Sequence, residues 1–213
     1  MAATQAMIDW GVAARPLPGQ DLLGDAFLVE TFPEGVLVAA IDGLGHGKEA
    51  FEASERAIAA LRIDVKRPLP ELFDSCHKVM ARMRGAVISL ASISSADETM
   101  TWFGVGNVDA ALYGARPGKS ESPRLQWKRI DSLPQRAGVV GYQMPAVRPS
   151  RIALQPGDLL LFHTDGIRSN YFIDLDFADD PQSIATEILN NCAKETDDAL
   201  ALAVRWNGSR QPL

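Results

Sequence analysis

Two stretches of this chain run through unbroken apolar residues and then stop at the same dipeptide: GVLVAAIDG at 35–43 and DLLLFHTDG at 158–166. A strand with no polar alternation has to be covered on both faces, so each of these predicts a central strand in a sheet with material packed above and below. Asp42 and Asp165 then stand where the buried run meets solvent. An aspartate there either forms the turn or is held out from a rigid edge as a ligand.

The periodicity around these strands changes in a definite order. Residues 7–14 and 26–32 read as strands separated by the turn-rich RPLPGQ. After Gly43, Gly45 and Gly47 the apolar positions Ala50, Phe51, Ser54, Ala57, Ile58, Leu61 and Val65 recur at three and four, which predicts a helix with one packed face. Leu69, Leu72, Phe73, Cys76, Val79, Met80 and Met83 repeat that spacing behind Pro68 and Pro70, predicting a second helix and a helical hairpin. From residue 85 short strand-like runs follow one another through Gly, Pro, Ser and Asp turns, which favours antiparallel pairing. A last helix is expected over 184–192, capped by Asp180 with Pro181 at its first position, before a final strand in TDDALALAVRW. Strands, two helices, more strands, one helix and a strand do not alternate as a doubly wound parallel sheet does, so a layered α+β fold is expected.

At 213 residues the chain suits a single domain over 1–213. The net charge of −6 argues against a nucleic-acid partner, which needs clustered Lys and Arg. Neither an N-terminal signal pattern nor an apolar run of membrane-spanning length occurs in the sequence. Cytoplasmic location without membrane attachment is therefore expected, with Cys76 and Cys192 as buried thiols outside any disulfide.

Acidic residues mark four strand ends: Asp25, Asp42, Asp165 and the pair Asp197 and Asp198. Carboxylates gathered at one end of a sheet repel unless cations neutralise them, and an oxygen-only set suits hard ions such as Mg2+ or Mn2+. The three histidines form no zinc pattern. His46 sits in the glycine loop, His77 is expected on the polar side of the second helix as a surface residue, and His163 is expected to be packed or hydrogen-bonded in its strand.

In order and interval, GDAF at 24–27, IDGLGHGKEA at 41–50, HTDGI at 163–167 and DDALALAV at 197–204 resemble the metal-dependent Ser/Thr protein phosphatases, in particular the SpoIIE branch of the PP2C-like group. GVGNVDAALY at 104–113 adds a likeness to its compact, RsbX-like stressosome members. The resemblance implies a four-layer α-β-β-α sandwich, two antiparallel sheets faced by helix pairs, with two Mn2+ or Mg2+ ions at one edge. It implies that Asp42 bridges the ions, that Gly43 through its carbonyl and Asp25 serve one of them, and that Asp165 and Asp197 hold the other. Asp42 and Asp165 are then the catalytic pair, and Asp197 is preferred to Asp198 by register. The implied activity is removal of phosphate from phosphorylated STAS-domain stressosome proteins by a monomer. An anti-anti-sigma factor as substrate, or a weakened module that binds phospho-STAS proteins, are the alternatives.

Departures from that pattern are visible as well. Leu200 stands two residues after Asp198, where relatives have Thr or Ser. Leu44 rather than a histidine follows Gly43, which leaves His46 or water as the candidate acid, and no arginine matches the phosphate-binding one of relatives beyond Arg15 as a candidate. The segment 166–180 is a short acidic and aromatic loop in place of a larger flap, suited either to substrate contact or to simple packing by Tyr171 and Phe172.

Overall fold

The structure is a computed structural model that describes residues 7–117, 125–171 and 175–209. Phe172 therefore lies outside the described residues.

The first sheet contains β1 (Ile8–Arg15), β11 (Ala199–Trp206), β10 (Leu159–His163), β6 (Asp109–Pro117) and β7 (Leu125–Ser132) in that spatial order. The second runs β2 (Asp25–Phe32), β3 (Gly35–Gly43), β4 (Ala86–Ser94), β5 (Thr99–Val105) and β8 (Gln135–Arg136), with β9 (Ser150–Ala153) also on β5. Every pairing is antiparallel except the two-residue β5–β8 contact.

β3 shows why its sequence carries no polar alternation. Val36, Val38 and Ala40 point into the core between the sheets, while Leu37, Ala39 and Ile41 lie under the helices on the other face. β11 behaves in the same way: Leu200, Leu202 and Val204 face inward, and the small Ala199, Ala201 and Ala203 form a floor for a helix. Both strands are central, and burial on two faces replaces the usual period of two.

Helices α1 (Lys48–Arg62) and α2 (Leu69–Met80) cover the second sheet as the expected hairpin. Both end earlier than the apolar spacing predicts. Val65 and Met83 pack against the same cluster from the loops rather than from the helices. Helix α3 (Pro181–Cys192) covers the first sheet, and the Asp180 side chain accepts the Ser183 N–H at 3.0 Å as its cap.

One expectation is corrected here. Among the described residues the first sheet is faced by one helix, not a pair. The rest of that face is closed by the β10–α3 connection, whose Ile167, Tyr171 and Phe177 are buried against Leu159, Leu161 and Tyr113. Tyr171 thus packs the fold. His77 is corrected too: it is half-buried, and its Nδ1 accepts the Gly141 N–H at 2.9 Å, tying α2 to the 139–143 turn. Cys76 is buried and Cys192 only half-buried, and neither forms a disulfide.

The exposed edge of the first sheet has its own cover. Gln182 of α3 lies beside β1, its Oε1 accepting the Val12 N–H at 3.2 Å and its Nε2 donating to the Val12 carbonyl at 2.9 Å. Gly11 makes this approach possible, since a Cβ there would stand 2.2 Å from the Gln182 backbone. Among the described residues no helix is long and apolar enough to cross a membrane.

Candidate metal centre

Antiparallel pairing brings the acidic strand ends to one side of the sandwich. Asp25 opens β2 and Asp42 closes β3, and the two are direct partners across that ladder. In the other sheet β10 ends at His163, and Asp165 follows in the next turn. Asp197 and Asp198 immediately precede β11, which pairs with β10. All five carboxylates therefore lie where the two sheets meet at one end.

Thr164 joins the sheets. Its buried hydroxyl donates to Asp25 Oδ2 at 2.7 Å and accepts the Leu200 N–H at 3.0 Å. With Leu200 in place of a hydroxyl residue, support for this corner comes from β10 instead. Asp165 is held by Asn107, whose Nδ2 donates to Oδ2 at 2.8 Å. Asp197 Oδ1 accepts the Asp198 N–H at 3.0 Å.

The two adjacent acids of the last motif have separate work. Asp198 is 3% exposed, and both its oxygens are used within the fold: Oδ1 accepts the Leu17 N–H at 2.7 Å and Oδ2 the Gly24 N–H at 2.9 Å. It clamps the β1–β2 loop. Asp197 is half-buried, and among the described residues its Oδ2 accepts no hydrogen bond within the fold.

Glycines let these elements approach. A Cβ on Gly43 would lie 2.2 Å from the Ala50 carbonyl oxygen, and one on Gly166 would lie 1.8 Å from that of Asp198. Either would push α1 or β11 away from the carboxylates.

Proximity shows in the proton affinities. Burial, then the Asp165, Asp197 and Asp198 charges, push the Asp42 carboxyl up to about 7. Burial and Asp42 hold Asp25 well above the usual carboxylate range, against the Thr164 hydrogen bond. Asp197 is raised by burial and Asp165. For His163 burial dominates and lowers the pKa, and its Nδ1 lies 3.1 Å from the Thr164 carbonyl oxygen, so it is the packed strand residue expected.

A raised carboxyl pKa means that the native state holds its proton more tightly than the unfolded chain does. The associated stability is complete below about pH 4 and is lost as pH rises through the native value. For Asp42 that window closes at about 7. Chelator-treated protein is accordingly expected to melt at progressively lower temperature from about pH 5 to pH 8. Thermal melts across that range check this, and a flat profile would contradict it.

Arg15 does not aim at the carboxylates: its Nη2 donates to the Lys194 carbonyl at 3.0 Å and to Glu195 Oε1 at 3.2 Å. His46 is exposed in the glycine loop. Sequence reading missed Thr164, Asn107 and Lys194. Lys194 donates from Nζ to the Asp165 carbonyl.

Among the described residues no three His, Cys, Asp or Glu side chains converge into a ready-made cage. The donor chemistry nevertheless fits Mg2+ or Mn2+, which keep several waters and take one or two carboxylates each. Carboxylates that raise one another's proton affinity are also in want of positive charge.

The family model for stage II sporulation protein E (SpoIIE) matches residues 33–207. The chain belongs to the SpoIIE family. Within the curated proteins it is 24% identical over 149 residues to the phosphoserine phosphatase RsbX of Bacillus subtilis (strain 168), covering 70% of this chain and 69% of RsbX. A chain solved in work on the bacterial stressosome, as a modular system adapted to control secondary messenger signaling, superposes with a TM-score of 0.79 at 25% identity, over 93% of this chain and 99% of that one. RsbX in complex with magnesium gives a TM-score of 0.75 at 20% identity, over 93% and 95%. The sandwich is also that of the PP2C phosphatase domain of SpoIIE from Bacillus subtilis, which gives a TM-score of 0.70 at 18% identity over 96% of this chain and 64% of that one, and its carboxylate end is the candidate active site of a phosphatase.

Proposed function

We propose that this chain is a Mn2+/Mg2+-dependent phosphoserine/phosphothreonine protein phosphatase whose substrates are phosphorylated STAS-domain proteins of a stressosome. The observation that carries the reaction is the set of buried and half-buried carboxylates at one sheet end, with Asp42 pushed up to about 7 by its neighbours. The substrate class rests on the likeness to RsbX and to the stressosome chain.

In this reading Asp25, Asp42, the Gly43 carbonyl, Asp165 and Asp197 would hold the two ions. Bound there, the ions supply an acidified water and neutralise charge on the phosphoryl oxygens. The chain's own residues set the geometry. Thr164 fixes Asp25, Asn107 fixes Asp165, and the Asp198 N–H fixes Asp197. Gly43 admits the Ala50 backbone of α1 beside the carboxylates, and Gly45 turns the chain there with a φ of 91°. Hydrolysis forms a bond from the water oxygen to phosphorus and breaks the phosphorus–serine oxygen bond, with a proton passing to the departing serine oxygen. Exposed His46 or solvent is within the chemistry required for that proton.

The test is hydrolysis of a generic aryl phosphate and then of a phosphorylated STAS protein by chelator-treated protein, with Mn2+ or Mg2+ restored. Turnover that depends on the added ion is expected. Capture of the phosphoprotein without turnover of either substrate would replace the enzyme by a binding module.

A further inference from the structure

The connection between α3 and β11 brings a lysine into the carboxylate end. The Lys194 N–H donates to the Gly166 carbonyl at 2.7 Å, and its own carbonyl is held by Arg15 Nη2 at 3.0 Å. Its main chain is anchored from both sides, so the half-buried side chain starts from a defined point. Its ammonium donates to the Asp165 carbonyl, at the base of the residue whose carboxylate Asn107 orients. Among the described residues it forms no direct ion pair with a carboxylate. Arg15, the other cation on this flank, is paired with Glu195. Lys194 thus sets a cation without a carboxylate partner at the base of Asp165, which follows β10 where Asp197 precedes its neighbour β11.

We infer that Lys194 is a resident counter-charge on the Asp165–Asp197 flank, which relieves the repulsion there and opposes a divalent ion arriving on that side. The inference rests on the metal centre proposed above. An ammonium within a few ångströms of an incoming dication, in a partly desolvated site, raises that ion's dissociation constant without touching its ligands. The side held by Asp25 and Asp42 would then load first. Turnover is then graded by metal concentration, because the second ion binds more weakly than the carboxylate count suggests.

The experiment compares wild type, Lys194→Gln and Lys194→Arg by Mn2+ titration calorimetry and by melting in chelator at pH 8. Lys194→Gln is expected to tighten the weaker Mn2+ step about tenfold and to melt several degrees below wild type in chelator. Saturating Mn2+ closes that gap, and Lys194→Arg stays near wild type in both measurements. Unchanged or weaker Mn2+ binding in Lys194→Gln would overturn the inference, because the lysine would then be only a support for Asp165. If wild type itself takes up no Mn2+, the metal centre fails, and the chelator melts still decide the lysine: superimposable curves for wild type and Lys194→Gln reject a counter-charge.

Discussion

Replacing Asp42 by asparagine is expected to abolish turnover, by about a thousandfold or more, and to raise the melting temperature in chelator. The two effects have one cause. Asp42 faces Asp25 directly across the β2–β3 ladder, where like charges destabilise a pair. Its carboxyl is pushed up to about 7 by burial and by three further aspartates. Asparagine keeps the shape and removes the charge, so repulsion with Asp25 disappears and the metal-free fold gains stability, on the order of 1–2 kcal/mol or about 2–8 °C for a chain of this size. On the proposed function the same change removes a carboxylate that would hold the ions and the water they would acidify. Activity and melting temperature therefore move in opposite directions. An Asp42→Asn protein that melts at or below wild type in chelator would show that the carboxylates are not in electrostatic conflict.

The second large effect separates Asp197 from Asp198. Asp198→Ala strips the acceptors from the Leu17 and Gly24 N–H groups, and the buried Gly24 donor has no access to water in compensation. A loss of about 2–5 kcal/mol is expected, enough to displace the β1–β2 loop and Asp25 with it. Asp197→Asn keeps its position outside the core and loses a charge opposed by Asp165, so the fold is retained with a melting temperature at or above wild type while turnover falls at least about a hundredfold. Urea unfolding and the aryl phosphate assay on both variants decide the matter. Stable Asp198→Ala protein with lost activity, beside an active Asp197→Asn, would invert the assignment.

That division was only half visible in the sequence. Register favoured Asp197, but the physical reason lies in the loop that folds back from residues 17 and 24, and no local pattern announces a partner so distant in the chain. The layer order was legible because long apolar runs closed by Asp-Gly state how a strand is buried and where it ends. What escaped was every contact made across the seam. Thr164 meets Asp25 at a separation of 139 residues, and Asn107 meets Asp165 at 58. Periodicity reports which face of an element is covered and says nothing about which side chain waits on the other side. The same limit explains His77, which lies on the polar face of its helix as expected and yet receives an amide from the 139–143 turn. It also explains why, among the described residues, one helix rather than two covers the first sheet, since the aromatic residues that complete that layer come from an irregular segment with no period to read.

The glutamine that borders β1 has a consequence for the protein among its own copies. A sheet margin with open peptide groups is a template on which a strand of another chain can be added, and the cheapest such addition begins in register from a single free amide and carbonyl. Gln182 occupies both groups of Val12 with one side-chain amide and so imitates a neighbouring strand for the length of one residue. Growth of the sheet past Val12 would first have to lift the start of α3, so the margin is interrupted at that residue.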